Sequence, residues 1–477
     1  MAKYDYNLVV IGAGSAGLVS SYIAAMVNAK VALIEAGEMG GDCLNTGCVP
    51  SKALIKSAKI VSDMKQSKRY GVHTENTQVD FAAVMERVQQ VIKTIEPHDS
   101  VERYTKLGVE CIKGYANIKG PHRVEVNGRV LTTRAIIVAT GAAPLVPPIP
   151  DLSEIDYLTS DNLWELRELP KRLIVLGGGP IGVEMAQAFA RLGSEVTIVE
   201  MADKLLIRED PEVSDLITKK LIGEKAVVHT SHKAVRFEKR GAEQVLVAEH
   251  DGQGVELVAD KILVALGRKP RVQGFGLEEL GVQIAPNGTI QADGFLRTNV
   301  KSIFVCGDVA GPYQFTHTAA HQAWYAVVNA LQPFKKFKVD YSVIPWVTFS
   351  DPEVARVGLN EQDANAQNIA YEVTTYGIDD LDRAIADGND HGFVKVLTRP
   401  GKDTILGVTI VGAHAGDLLA EFVLAMKHGL GLNKILGTIH SYPTMSEANK
   451  FAAGEWKKAH KPEWALRMSE KLFRLLR

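Results

Sequence analysis

The chain has 477 residues, is 46% hydrophobic and 23% charged, and carries a formal net charge of −2. That length suits two to four domains, and ordinary composition with no basic excess argues against a nucleic-acid binder. No stretch reaches the ~20 apolar residues of a membrane span, the short apolar run before "GAG" is no cleavable signal, and four cysteines are too few for a secreted disulfide scaffold, so a cytoplasmic protein is expected.

The first predicted element is an apolar strand over residues 8–11. Gly12, Gly14 and Gly17 follow at GxGxxG spacing, then a helical run, then a second apolar strand ending in Glu35. This is a βαβ unit with a dinucleotide-binding fingerprint: a tight turn, a close backbone approach to pyrophosphate and a close helix–strand contact each need a glycine. The helix N-terminus offers free N–H groups to the phosphates, and Glu35 can accept from the adenosine ribose hydroxyls.

"GGDCLNTGCVPSK", residues 40–52, comes next as a glycine-punctuated loop before a helix. It holds two of the four cysteines, Cys43 and Cys48. In a regular helix their side chains would point about 140° apart. A disulfide between them therefore needs an irregular turn, which Asn45, Thr46 and Gly47 permit. A helix starting near Pro50, with Lys52 one turn past Cys48, would favour a thiolate.

The βαβ pattern then repeats with Gly177, Gly179, Gly182 and a terminal Glu200. "RAIIVATGAAP", containing Thr140 and Gly141, is echoed by "DKILVALGRKP", containing Gly267. Two fingerprints predict two dinucleotides bound at once, a flavin and a nicotinamide. A third glycine–acid turn, Gly307–Asp308, belongs to neither repeat, so the first domain is expected to recruit late chain. From about residue 346 the pattern becomes strands between polar turns and a helix with Leu418, Leu419, Phe422, Val423 and Met426 on one face. Residues 461–477 predict an amphipathic tail helix, with Ala465, Met468, Leu472 and Leu475 on one face and Arg467, Lys471 and Arg474 on another.

Three roles compete for the cysteine pair. A metal site lacks further ligands, since Cys111 and Cys306 are isolated. A structural disulfide does not suit a cytoplasmic enzyme. A redox-active dithiol beside a flavin accounts for the pair and for both fingerprints.

The motif Gly-Gly-x-Cys-x-x-x-x-Gly-Cys-x-Pro after an N-terminal GxGxxG resembles the flavin-dependent pyridine nucleotide–disulfide oxidoreductases, which include dihydrolipoyl dehydrogenase, glutathione reductase and mercuric reductase. The resemblance spans residues 6–458. It implies an α/β fold with two Rossmann-like dinucleotide-binding domains, for FAD and NAD, plus a C-terminal α+β dimerisation domain. The segments expected are 1–150 (first part of the FAD domain), 151–275 (NAD(P)H domain), 276–345 (central, returning to the FAD), 346–460 (dimer interface) and 461–477 (tail helix).

Carried onto this sequence, the resemblance implies that Gly12, Gly14, Gly17 and Glu35 hold FAD, with Thr140 and Gly141 lining it and Asp308 on the ribityl chain. Gly177, Gly179, Gly182, Glu200 and Gly267 belong to the nicotinamide site. Lys52 would approach the flavin and pair with Glu184. Cys48 would face the flavin, and Cys43 would be the interchange thiol. Glu200 favours NADH, because a carboxylate accepts from a 2′-OH and repels a 2′-phosphate; Lys204 and Arg208 keep NADPH open.

The sequence departs from the family at one position. Disulfide-reducing members carry His-Pro-Thr-x-x-Glu near the C-terminus, where this chain has Tyr442, Pro443, Thr444 and Glu447. Histidine titrates near neutrality and tyrosine near 10, so efficient dithiol exchange is in question. His440 is either a substitute acid–base or a packing residue. The tyrosine is similar to mercuric reductase, but no cysteine follows Cys306 to deliver a metal ion.

The expected enzyme is therefore a homodimer with an active site shared between subunits. It passes electrons from NADH through FAD and the Cys43–Cys48 disulfide to a small acceptor, mercuric reductase-like (a mercuric or other soft-metal ion) or dihydrolipoyl dehydrogenase-like (a small-molecule disulfide). The alternatives are a quinone or other small-acceptor flavin reductase without dithiol exchange, and a non-catalytic flavoprotein interaction subunit. The tail helix adds an expectation of weak membrane-surface contact.

Overall fold

A computed structural model describes residues 4–74 and 78–477. The chain divides into two compact units: Met1–Ala202 with Glu224–Asp340, and Asp203–Gly223 with Tyr341–Arg477.

The first unit is built on two sheets that repeat one plan. Strand β1 (Tyr6–Ile11) lies between β2 (Val31–Glu35) and Arg129–Val138, all parallel, with Val109–Lys113 outside β2. Leu8, Val9 and Val10 are fully buried, which is why β1 reads as an unbroken apolar run: a central parallel strand is covered on both faces. Helix α1 (Ser15–Met26) makes the crossover between β1 and β2.

The second sheet repeats this order with Val227–His229, Glu195–Val199, Arg172–Leu176 and Lys261–Val264, and adds Tyr157–Leu158. The two echoing turns meet, because Ala142–Pro144 pairs antiparallel with Arg268–Pro270. The late strand Ile303–Val305 joins the first sheet beside Arg129–Val138, so Gly307 and Asp308 emerge at the same sheet end as Gly12. A three-stranded antiparallel sheet, Lys233–Arg240, Glu243–His250 and Gln253–Ala259, gave no distinct signal in the sequence reading.

The second unit holds a five-stranded antiparallel sheet in the order Pro345–Thr348, Glu353–Gly358, Ile405–Gly412, Phe393–Thr398, Glu372–Gly377. Helix Ala415–Lys427 buries Leu418, Leu419 and Phe422 in its core, with Val423 and Met426 packed against them. Residues 203–223 group with this unit, although they fall inside the 151–275 segment of the sequence reading. Buried charges hold them there. Lys395 Nζ binds Asp210 at 2.5 Å, Glu361 at 2.9 Å and also Glu212. Arg356 stacks on Trp346 and lies 3.3 Å from Glu209, which also accepts from the Trp346 indole. Burial pushes the Glu209 carboxyl above its usual range, and Arg356 opposes that shift.

Among the described residues no helix is long and apolar enough to cross a membrane. The tail forms a helix, Glu463–Leu475, none of whose residues is buried.

Candidate active site

The site starts at the turn after β1. Gly12 has φ +99°, and a Cβ there would meet the Ala139 carbonyl oxygen at 2.4 Å. Gly177 repeats this with φ +112° and the Ala265 carbonyl at 2.5 Å. Gly17 and Gly182 press their helices onto the turns themselves, where a Cβ would fall within 2 Å of the Gly12 and Gly177 carbonyl oxygens. The middle glycines face open space. Gly14 has one neighbour, at 3.9 Å, and Gly179 has none within 4 Å. Each helix N-terminus thus fronts a cradle that protein atoms do not fill, as a pyrophosphate requires.

The acids that close the two units are placed alike. Glu35 accepts from the N–H groups of Ala13 (2.5 Å) and Gly37 (2.6 Å). Glu200 accepts from those of Gly178 (2.6 Å) and Ala202 (2.7 Å). Each carboxylate is held at the rim of its glycine turn. Lys204, a potential 2′-phosphate ligand by sequence, donates to the Glu209 carbonyl at 2.9 Å.

The cysteine segment is not one helix. A short helix α2 (Gly41–Asn45) carries Cys43, Thr46 and Gly47 break it, and α3 (Cys48–Gln66) begins at Cys48. The expected loop before a helix is thus partly helical, and its irregularity sits between the thiols. The Trp164 indole donates to the Thr46 carbonyl at 2.9 Å and pins the break. The double glycine serves contact with the fingerprint: Gly40 N–H donates to the Ala13 carbonyl, and Gly41 (φ +57°) would put a Cβ 2.6 Å from the Gly14 Cα.

A cavity of about 1650 Å³ joins these parts. Of the sequence-predicted residues it brings together Gly12, Gly14, Glu35, Cys43, Cys48, Lys52, Thr140, Gly141, Glu184 and Asp308. Gly17 lies beneath the turn. Gly177, Gly179, Gly182, Glu200 and Gly267 are outside this cavity, and all but Gly267 belong to the second fingerprint. Tyr442 and Glu447 lie in the other compact unit.

Lys52 Nζ meets Glu184 at 2.9 Å, with Glu184 almost fully buried. The Asp308 carboxyl is pushed up by burial and pulled back by Arg268 at 3.5 Å. Arg268 also binds Asp42, inside the cysteine motif. Arg268, Asp42 and Thr316 were missed by the sequence reading. Arg268 sits in the echoing "GRKP" and could have been weighed there, whereas nothing marks Thr316.

The two thiols shift in opposite directions. The Cys48 thiol is lowered to about 6, first by the hydrogen bond from Cys43, then by Thr316 and the Lys52 charge, with burial opposing. Cys43 is driven well up by the same hydrogen bond, by burial and by the Cys48 charge. The Thr316 hydroxyl lies 3.4 Å from Cys48 Sγ. A second cavity of about 400 Å³, lined by Tyr22, Asp99, Arg103 and Tyr104 among others, also reaches Cys43. Cys48 lines the large cavity, while Cys43 lines both.

In the second unit Tyr442 is 71% exposed and donates to Asp382 at 2.9 Å, which pushes its hydroxyl up. Glu447 is buried and accepts from the Thr444 N–H. His440 is nearly buried, with one ring nitrogen 3.0 Å from Glu421 and the other 3.0 Å from the Thr438 carbonyl. Both nitrogens are engaged, which fits the packing role over the acid–base role. Among the described residues, Asp210, Glu212 and Glu361 form the one acid group close enough to hold a cation, and the Lys395 ammonium binds all three.

The family model for pyridine nucleotide-disulphide oxidoreductases matches residues 6–323, and that for the family's dimerisation domain matches residues 344–453. The chain belongs to the pyridine nucleotide-disulphide oxidoreductase family. It is an FAD- and NAD(P)H-dependent oxidoreductase, and its dimerisation domain makes it a homodimer. It is 36% identical to a mercuric reductase of Bacillus cereus over 94% of this chain and 71% of that protein. It is also 36% identical to a dihydrolipoyl dehydrogenase of Thermus scotoductus over 94% of this chain and 96% of that one. Among solved structures it superimposes on the HOCl-induced flavoprotein disulfide reductase RclA of Escherichia coli with a TM-score of 0.84, at 28% identity, covering 94% and 99% of the two chains.

Proposed function

We propose that this oxidoreductase prefers NADH and delivers electrons through the Cys43–Cys48 pair to a small acceptor, a disulfide or a soft-metal ion. One observation carries the reading: Cys43 and Cys48 both line the large cavity together with the Lys52–Glu184 pair, and Cys43 also reaches a second cavity. FAD, when bound, supplies a two-electron carrier between nicotinamide and dithiol. Gly12, Gly14, Glu35, Thr140, Gly141 and Asp308 would hold it, and Lys52, fixed by Glu184, sets the charge beside Cys48. Gly177, Gly179, Gly182 and Glu200 hold the nicotinamide dinucleotide.

For a disulfide acceptor, the Cys43 thiol loses its proton as its sulfur attacks one acceptor sulfur, forms a mixed disulfide and expels the other sulfur as a thiolate that takes up that proton. The Cys48 thiolate then attacks Cys43, expels the second thiolate and leaves Cys43–Cys48 oxidised. Tyr442 and Glu447 serve this exchange across the dimer, in an active site shared between subunits. Tyrosine is a poor proton donor at neutrality, which favours acceptors whose leaving group needs no proton, a soft-metal ion among them.

The bulk of the enzyme is cytoplasmic in this reading, and its exposed tail helix makes a weak membrane-surface contact. That contact favours a second reading, in which a quinone takes the electrons without dithiol exchange.

Anaerobic titration of the purified enzyme with NADH tests both. A long-wavelength charge-transfer band at two-electron reduction, absent in Cys48→Ser, supports the dithiol relay. Full bleaching with no such band refutes it and favours the quinone reading.

A further inference from the structure

The helix Glu463–Leu475 is unlike the other helices of its unit. Helix Glu447–Ala459, just before it, buries Ala448, Ala452, Ala453 and Trp456. The tail helix buries nothing: Trp464 is 65% exposed, Met468 61%, Phe473 61% and Leu475 84%. At 100° per residue Trp464, Leu475, Met468 and Leu472 fall within about 80° of one another, and Leu466 and Phe473 widen the apolar arc to roughly 200°. The remaining sector carries Arg467, Lys471 and Arg474 with Glu463 and Glu470. Lys471 sits at the edge of the apolar arc, beside Trp464, where its stem can lie along lipid and its ammonium reach the headgroups.

Charge is concentrated here. Residues 457–477 hold seven lysines and arginines against two glutamates, a net +5 in a chain whose total is −2. Three of the cations are paired, Arg467 and Arg474 to Glu463 and Glu470 and Lys458 to Glu455 just upstream. Lys471 and Arg477 make no ion pair among the described residues. The matched dimerisation domain ends at residue 453, before this helix begins. A groove on a partner protein covers a narrow stripe, whereas an arc over half the circumference, with tryptophan and phenylalanine in it and cations beside it, suits the plane of a lipid interface.

We propose that the tail helix docks in the plane of an anionic phospholipid surface. Trp464, Met468, Leu472 and Leu475 enter the headgroup–acyl boundary, and Arg467, Lys471 and Arg474 lie over the phosphates. This rests on the membrane contact of the preceding reading and adds the lipid class, the geometry and the contacting residues. It is independent of the acceptor.

The test is co-sedimentation of the full-length holoenzyme with phosphatidylcholine vesicles containing 30% phosphatidylglycerol, against pure phosphatidylcholine vesicles. Expected are binding to the anionic vesicles and at least about tenfold weaker binding to neutral ones or in 0.5 M salt. Leu472→Glu/Leu475→Glu abolishes binding, Lys471→Glu/Arg474→Glu weakens it about tenfold or more, and both variants keep wild-type sedimentation and NADH oxidation with a soluble acceptor. Equal, salt-insensitive binding to both vesicles overturns the anionic lipid class while leaving membrane contact standing. No binding to either vesicle overturns both. If the wild type ignores vesicles and Leu472→Glu/Leu475→Glu dissociates the dimer, the helix covers the partner subunit and the proposal fails.

Discussion

Cys43→Ala tests how the thiolate is made. The hydrogen bond from Cys43 is the largest influence lowering Cys48 to about 6 from an ordinary 9.0, ahead of Thr316 and Lys52. A hydrogen bond to a charged group contributes about 1.5–3 kcal/mol, which is roughly one to two pH units. Removing the Cys43 thiol should therefore raise Cys48 to between about 7 and 8, with the Thr316 hydroxyl and the Lys52 charge retaining the rest. The thiolate form exists above the pKa, so its population falls as pH drops. At pH 7 the thiolate fraction should drop from about nine tenths to about a quarter for a midpoint near 7.5, and the pH midpoint of iodoacetamide alkylation should move up with it. The assay is the pH dependence of that alkylation rate on NADH-reduced wild type and on Cys43→Ala, with Cys48 labelling read by peptide mass. A midpoint that stays near 6 in Cys43→Ala would refute the argument and assign the thiolate to the Thr316 hydroxyl and the Lys52 charge.

Other perturbations follow from the same geometry. Glu200→Gln, with its carboxylate no longer repelling a 2′-phosphate, should raise KM for NADH by about tenfold and improve the NADPH/NADH ratio of kcat/KM; an unchanged ratio places the discrimination elsewhere. Tyr442→His should raise turnover with lipoamide by about tenfold or more, most strongly near pH 7, if a neutral-range acid–base is what the site lacks. Equal rates would point to a differently shaped acceptor pocket. Lys395→Met strands the buried Asp210 carboxylate and should cost about 3 kcal/mol, seen as a lower midpoint in urea. Adding Asp210→Asn should recover part of it, and a Lys395→Met midpoint equal to wild type would show that the cluster carries no net stability.

How far the sequence could be read depended on the range of each constraint. The two fingerprints were legible because the demands on Gly12, Gly17, Gly177 and Gly182 are met within one turn of chain: a positive φ, or a helix resting on its own loop, admits no Cβ and leaves a glycine in the sequence. The cysteine pair was legible for a similar reason, since its helix break and its helix start lie within six residues. The amphipathic tail showed itself through periodicity alone.

Tertiary structure decided what distant segments do to each other. Nothing local announces that Ala142–Pro144 pairs with Arg268–Pro270, that Arg268 then spans Asp42 and Asp308, or that Thr316 reaches Cys48 across 268 residues of chain. His440 stood open between a substitute acid–base and a packing residue, and only the fold shows its partners, Glu421 and the Thr438 carbonyl, engaging both nitrogens. Residues 203–223 read as part of the second fingerprint domain, yet Asp210 and Glu209 are ion-paired with Lys395 and Arg356 from far along the chain. A buried charge needs a partner in space, and its sequence neighbours carry no trace of where that partner comes from. The sequence alone thus determined the cofactor turns and the dithiol, because steric and conformational rules act locally; the folded chain decided the thiolate's surroundings and the unit boundaries, because electrostatic pairing and packing do not.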